Sequence, residues 1–309
     1  MDYIKGINFA PFIGRNRLMS KETLRSFGLM ASRTGADLII IVPNGLQDTP
    51  QSEIIDYRSD ASLSDSELED FIAYAHSLGL RVALKPTVNC RSGTWRAHIS
   101  FFDEDVPCEP KWGNWFASYT EFQCHYAATA EKCGCEMFIA GCEMVQSEHR
   151  ESEWREVISS IRKVYSGAVS YNTDKYQEHN VKWWDAVDVI SSSGYYPVND
   201  WENQLDRIEK VVKQFNKPFF FAECGCMSVK GSEFVPNDWS VQGEPDPEGQ
   251  ARWYETMFNA CEKRGWVGGF AVWDWCGRLY QQSNALSDKS YCIYAKPAER
   301  VVKDFYGRK

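Results

Sequence analysis

The sequence predicts an α/β fold, a (β/α)8 TIM barrel in which residues 1–309 form one domain. Three observations carry that expectation. Eight short apolar runs rich in β-forming residues alternate with longer amphipathic stretches. Most of the runs are continuously apolar, as parallel strands covered on both faces must be. No break in composition divides the 309 residues, a length ordinary for one such barrel.

The strand candidates in chain order are residues 4–9, 37–42, 81–87, 136–143, 168–172, 187–192, 218–223 and 267–274. The clearest helix opens at Ser64 and ends at Gly79. Its Ser64-Asp65-Ser66-Glu67 start reads as a capping box, with Ser64 as N-cap and Glu67 as the reciprocal partner. Further helical stretches cover 115–133, 153–165, 201–215, 248–264 and 298–306. An open doubly wound sheet is the competing arrangement, but it usually carries a glycine-rich first turn, and none follows the first run here. Two long loops, 43–62 after strand two and 225–247 after strand seven, lie on the barrel end where sites are built.

A net charge of −9 disfavours a nucleic-acid backbone or an anionic membrane as partner. No apolar run approaches the roughly 20 residues that span a bilayer. The first residues lack a basic segment followed by an apolar one, so no signal peptide is visible and a cytoplasmic location is expected. Eleven cysteines cannot all pair within one chain. Cys133/Cys135 and Cys224/Cys226 have C-x-C rather than C-x2-C spacing, which points to buried free thiols rather than metal ligands. The five histidines show no H-x-x-x-H spacing, so no metal and no cofactor is expected. No G-x-S-x-G elbow signals a serine nucleophile.

Strand four runs Phe138-Ile139-Ala140-Gly141-Cys142-Glu143, and strand seven runs Phe219-Phe220-Phe221-Ala222-Glu223. Each apolar run finishes on a glutamate at the C-terminal mouth, where poor solvation raises the cost of charging it. One such residue is commonly an ion-pair partner. Two, on strands that face each other across a narrow barrel, match the needs of glycosidic cleavage: an acid for the leaving oxygen and a carboxylate across the ring. The narrow barrel favours the close spacing of a retaining mechanism.

Further motifs give this pair a context. They are Lys5-Gly6-Ile7-Asn8-Phe9, Gln47-Asp48-Thr49, Ala75-His76-Ser77-Leu78-Gly79-Leu80, Leu84-Lys85-Pro86, Gly93-Thr94-Trp95-Arg96, Gly141-Cys142-Glu143, Ala222-Glu223-Cys224-Gly225 and Ala271-Val272-Trp273-Asp274. In this order the chain resembles glycoside hydrolase family 113 of clan A, a family of β-1,4-mannanases. The resemblance implies a single catalytic domain with Glu143 as acid/base and Glu223 as nucleophile. It implies mannan or manno-oligosaccharides as the substrate, cut at β-1,4-mannosidic bonds by double displacement. Most clan members carry Asn just before the acid/base. Here that residue is Cys142, a poor donor, a departure that the family shares.

Around the pair, Tyr195 and Tyr196 follow strand six. The resemblance implies that one of them, Tyr195 by preference, donates to the nucleophile. Trp273 at the end of strand eight is the candidate sugar platform. Trp95, Arg96 and Trp239 are candidates for flanking subsites. Asn89, Lys85 and Asn172 are candidates for binding sugar hydroxyls, although Lys85 can equally hold a buried carboxylate in place. Trp112, Trp115, Trp183 and Trp184 read as structural, and Asp274 as a partner for Arg278. Transglycosylation, an exo-acting β-mannosidase and a non-catalytic sugar-binding barrel are the alternatives, and oligomeric state is not legible.

Overall fold

The computed structural model describes residues 1–309. Eight parallel strands close into a barrel: β1 (Ile4–Phe9), β2 (Leu38–Ile41), β3 (Arg81–Leu84), β4 (Met137–Cys142), β5 (Ala168–Thr173), β6 (Val189–Ser193), β7 (Phe219–Cys224) and β8 (Val267–Trp275). Each strand pairs with its sequence neighbours, and β8 returns to β1. Along β2 the side chains alternate although all are apolar. Leu38 and Ile40 join the small cluster inside the barrel, while Ile39 and Ile41 join the larger one beneath the helices. A strand buried on both faces needs that continuous apolarity.

The helices are α1 (Lys21–Thr34), α2 (Asp65–Ser77), α3 (Trp112–Cys133), α4 (Glu151–Arg162), α5 (Trp201–Phe215), α6 (Pro247–Glu262) and α7 (Pro297–Tyr306). None is long and apolar enough to cross a membrane. Sequence reading missed α1, because Ser26, Gly28, Ser32 and Thr34 interrupt its apolar stripe. Its cap signals were nevertheless present: Ser20 accepts from the Thr23 N–H, and Gly35 takes the left-handed C-cap conformation. Between β5 and β6 there is no α-helix, only the 3₁₀ turn Trp184–Ala186. Trp183 and Trp184 are fully buried there, and Trp183 stacks on Trp154 at 4.9 Å. Large aromatic rings thus cover the barrel where a helix would otherwise lie.

Two other expectations change. The third strand was expected to run unbroken to residue 87, but it stops at Leu84. Pro43 and Pro86, lacking N–H donors, interrupt the second and third strands at matching heights. Both chains resume as a separate parallel pair, Asn44–Gln47 with Thr87–Cys90. The capping box at α2 is half made. Ser64 accepts from the Glu67 N–H, but the Glu67 carboxylate turns away to accept from the backbone N–H groups of Asn16 and Leu18, at 2.8 and 2.7 Å. It therefore ties the first loop to α2.

Candidate active site

The strand ends aim the two glutamates. In β4 the register with β5 shifts between Ile139 and Cys142, a bulge of the kind that re-aims the next side chain. Gly141 has φ 109°, and a Cβ there would meet the Tyr119 hydroxyl at 2.2 Å, so only glycine fits. Glu143 itself sits at φ 53°, a conformation that costs a non-glycine residue about 1–2 kcal/mol. Its N–H donates to the Asn172 carbonyl at 2.8 Å, and the next N–H, of Met144, donates to the Tyr171 hydroxyl at 3.1 Å. Glu223 stands within β7 in extended backbone, its carbonyl accepting from the Gly194 N–H at 2.7 Å.

The two side chains meet. One carboxylate oxygen of Glu143, one of Glu223 and the Cys142 sulfur all lie within 4.8 Å of one another. Glu143 Oε1 accepts from the Ser193 hydroxyl at 2.8 Å, and Oε2 accepts from the Trp95 indole N–H at 3.1 Å. Arg96 approaches the same oxygen at 3.4 Å. Glu223 Oε1 accepts from the Lys85 ammonium and from the Cys142 thiol, the latter at 3.2 Å. Its Oε2 accepts from the Tyr195 hydroxyl at 2.9 Å.

Burial by itself would raise the pKa of Glu223. The charges of Lys85 and Arg96, and the hydrogen bonds from Lys85 and Cys142, outweigh it and hold the carboxyl below its ordinary range. The partners stay in donor form. Burial, then the Glu223 charge, pushes the thiol of Cys142 and the phenol of Tyr195 well up. Asp174, at the end of β5, is pushed up to about 7 by burial and next by the charge of Glu143.

Glu143, Glu223, Tyr195 and Arg96 line a cavity of about 580 Å³ with Phe12, Asn89, Trp95, Asp174, Trp239 and Trp273. A larger groove of about 770 Å³ lies elsewhere, lined only by residues of the α6 and α7 region. Trp95 is 42% and Trp239 61% exposed, whereas Trp273 is buried. Trp239 packs against Tyr291, with ring centroids 4.4 Å apart.

Several candidates occupy places other than those expected. Tyr196 does not reach the cavity. Its ring is fully buried and its hydroxyl donates to Glu178 at 2.5 Å, because successive residues leave a strand end in opposite directions. Asn172 is fully buried beneath the site, accepting from Lys85 at 3.4 Å and donating to the Ser193 hydroxyl at 3.0 Å. It is a brace between the two glutamates' partners, not part of the cavity lining. Lys85 holds the buried Glu223 carboxylate, one of the two places open to it, and Asn89 does line the cavity but is hydrogen-bonded to Arg96 and Asn44. Arg96 also donates to the Cys142 carbonyl at 3.0 Å. Arg278 pairs with Glu22, not with Asp274. Ser193, Asp174 and Phe12 were missed. Nothing in the chain marks Ser193, at the end of β6, as facing residue 143.

Residues 7–296 match Glycoside Hydrolase Family 113. A solved GH113 beta-1,4-mannanase superposes with a TM-score of 0.99 at 52% identity, with 100% of each chain covered. The GH113 beta-mannanase AaManA from Alicyclobacillus acidocaldarius, in complex with ManMIm, gives 0.96 at 40% identity, over 100% of this chain and 98% of that one. A beta-D-glucuronidase from Dictyoglomus thermophilum gives 0.67 at 15% identity over 51% of its own length, a likeness of fold alone. Among curated proteins none matches significantly.

Proposed function

Because this chain belongs to glycoside hydrolase family 113, we propose that it is a retaining endo-β-1,4-mannanase acting on mannan and manno-oligosaccharides, with the whole of residues 1–309 as its catalytic unit. The reading draws its substrate from the β-mannanases it resembles. The observation that carries its chemistry is the approach of the two carboxylates to within 4.8 Å. Retaining enzymes keep these groups about 5–5.5 Å apart, whereas inverting enzymes leave about 6.5–9.5 Å for a water.

In the first step a Glu223 oxygen bonds to the anomeric carbon while the glycosidic C–O bond breaks. Glu143 passes its proton to the departing oxygen. Water then enters. Glu143 takes one of its protons, the hydroxide adds to the anomeric carbon, and the bond to Glu223 breaks. Two inversions return the β configuration. Lys85, Cys142 and Tyr195 suit Glu223 to attack as an anion and to leave as one. Trp95 and Ser193 fix the Glu143 carboxyl through both oxygens, which favours one approach to the leaving group. Trp273 offers a buried apolar face, and the exposed Trp95 and Trp239 line the same cavity and offer further stacking surfaces. Eleven unpaired cysteines fit a reducing compartment, and a cytoplasmic location is part of the proposal.

Proton NMR of fresh mannohexaose digests is the test. The β-anomer should form first, with internal cleavage products, and mannohexaose cleavage should fall at least about 100-fold in Glu143→Gln and further in Glu223→Gln. Initial release of the α-anomer, or binding without cleavage by the unaltered protein, contradicts the reading.

A further inference from the structure

A second group of ligand-type side chains lies behind the active site, on the other side of β8. Asp274 and Cys276 leave the strand end on one face, two residues apart, while Trp273 between them and the cleft faces the catalytic cavity. Cys292, fully buried, reaches the same point from the loop that leads into α7. One carboxylate oxygen of Asp274 and the sulfurs of Cys276 and Cys292 all lie within 4.8 Å of one another, and the Cys276 sulfur is 4.0 Å from Asp274 Oδ2. We infer that Asp274, Cys276 and Cys292 form a binding site for one thiophilic divalent cation of the Zn²⁺ or Cd²⁺ class.

The geometry is close to what such an ion requires. Sulfur at about 2.3 Å and oxygen at about 2.0–2.2 Å from a tetrahedral zinc stand roughly 3.5–3.8 Å apart. The observed spacings close to that range by rotamer adjustments of a few tenths of an ångström to about one ångström. Two thiolates select against hard cations such as Mg²⁺ and Ca²⁺. Access comes from a separate cavity of about 510 Å³, lined by Asp274, Cys276, Gly277, Arg17 and Glu22. A water from that side completes the fourth position.

Charge decides between this group and the other candidate. Cys142, Glu143 and Glu223 are equally close, but the Lys85 ammonium is hydrogen-bonded to Glu223, and Arg96 faces Cys142 and Glu143. A cation entering there meets two fixed positive charges. Arg17 and Arg278 line the access cavity, Arg278 paired with Glu22, and beside the group itself stands the buried Lys296. It donates to the Ser290 carbonyl at 2.9 Å and pairs with Asp288 at 2.8 Å. Two thiolates and a carboxylate around a divalent ion sum to one negative charge, and Lys296 sits where it offsets part of that surplus. An ion there joins the end of β8 to the loop before α7, one residue from Trp273.

The test uses the full-length reduced protein. Titration with Cd²⁺, followed by thiolate-to-metal charge-transfer absorption, should show one ion per chain, and Zn²⁺ should displace it. Cys276→Ser and Cys292→Ser should each weaken binding by about tenfold or more, since even outer partners of a metal site carry that much. Cys108→Ser, an exposed thiol, should leave it unchanged. A measurement on the unaltered protein guards against misfolded variants. Zn²⁺ should protect Cys276 and Cys292 from alkylation, read by peptide mass spectrometry. The inference fails if the unaltered protein takes up no ion, if both variants bind as it does, or if protection falls on Cys142 instead.

Discussion

The ends of β4 and β7 each present a glutamate to the same cavity, but they surround it in opposite ways. Glu223 lies in regular strand backbone and takes every hydrogen bond from groups packed below and beside it: Lys85, Cys142 and Tyr195. Glu143 follows a bulge and holds a left-handed backbone conformation. One of its partners, Trp95, comes from a loop and is partly exposed. A buried anion ringed by fixed donors suits a nucleophile, which must be charged at the start and again at the end of the cycle. A carboxyl held by an exposed loop indole and a hydroxyl, with Arg96 at 3.4 Å, suits a group that exchanges protons with sugar and water. On the proposed mechanism, two identical residue types take different roles from their surroundings.

The sharpest way to break that comparison is to remove each carboxylate. Glu223→Gln should lower kcat by about 10⁴- to 10⁶-fold on every substrate, the scale seen when a covalent nucleophile is lost. Glu143→Gln should cost about 10²- to 10⁴-fold on manno-oligosaccharides, and much less on an aryl mannoside whose leaving group needs no proton. Steady-state and burst kinetics on both substrate types check this. Equal losses on both substrates in Glu143→Gln would remove the distinction drawn here.

Lys85→Met should have the next largest effect, and it probes the electrostatics. The Glu223 pKa is depressed in the folded chain, so its contribution to stability is present above the unfolded value of about 4.3 and is lost as pH falls through the lower folded value. Activity that needs the anion follows the same limb. Without Lys85, burial acts unopposed by its nearest cation, and the acid limb of kcat/KM should move to higher pH. Leaving a buried charge unpaired should also cost about 3–5 kcal/mol in denaturant melts at neutral pH. An unmoved acid limb would show that Lys85 does not set the state of Glu223.

Tyr195→Phe removes one donor to Glu223 and should lower kcat/KM by about 10- to 100-fold, given about 1.5–3 kcal/mol for a hydrogen bond to a charged group. Tyr196→Phe, one residue along, should scarcely change kcat/KM. It should lower stability by about 1.5–3 kcal/mol through the lost hydrogen bond to the buried Glu178 carboxylate. The pair of variants separates a residue of the cavity from a residue of the core, and a larger activity loss in Tyr196→Phe would reverse that assignment.

Much of this was legible before any coordinates. The apolar runs within 37–42, 136–143 and 218–223 read as buried parallel strands, and their alternation with amphipathic segments leaves few topologies. A glutamate closing two such runs marks the mouth of the barrel. The readable signals were local ones, periodicity and a charged residue at the end of an apolar run. Where local signals conflicted, reading failed: α1 was lost to its serines and glycine despite good caps, and Glu67, although correctly placed beside Ser64, spends its carboxylate on a loop about 50 positions earlier.

The sequence by itself determined the barrel, the two carboxylates and the aromatic residues available to surround them, because strand burial and strand ends are properties of consecutive residues. Only the tertiary structure decided that Tyr195 and not Tyr196 reaches Glu223, that Lys85 and Asn172 serve as braces, and that Ser193 meets Glu143. It also brought Cys292 to Asp274 and Cys276. Each of these depends on where a side chain lies relative to another strand, a distance set by closure of the whole barrel, and no spacing along the chain encodes it.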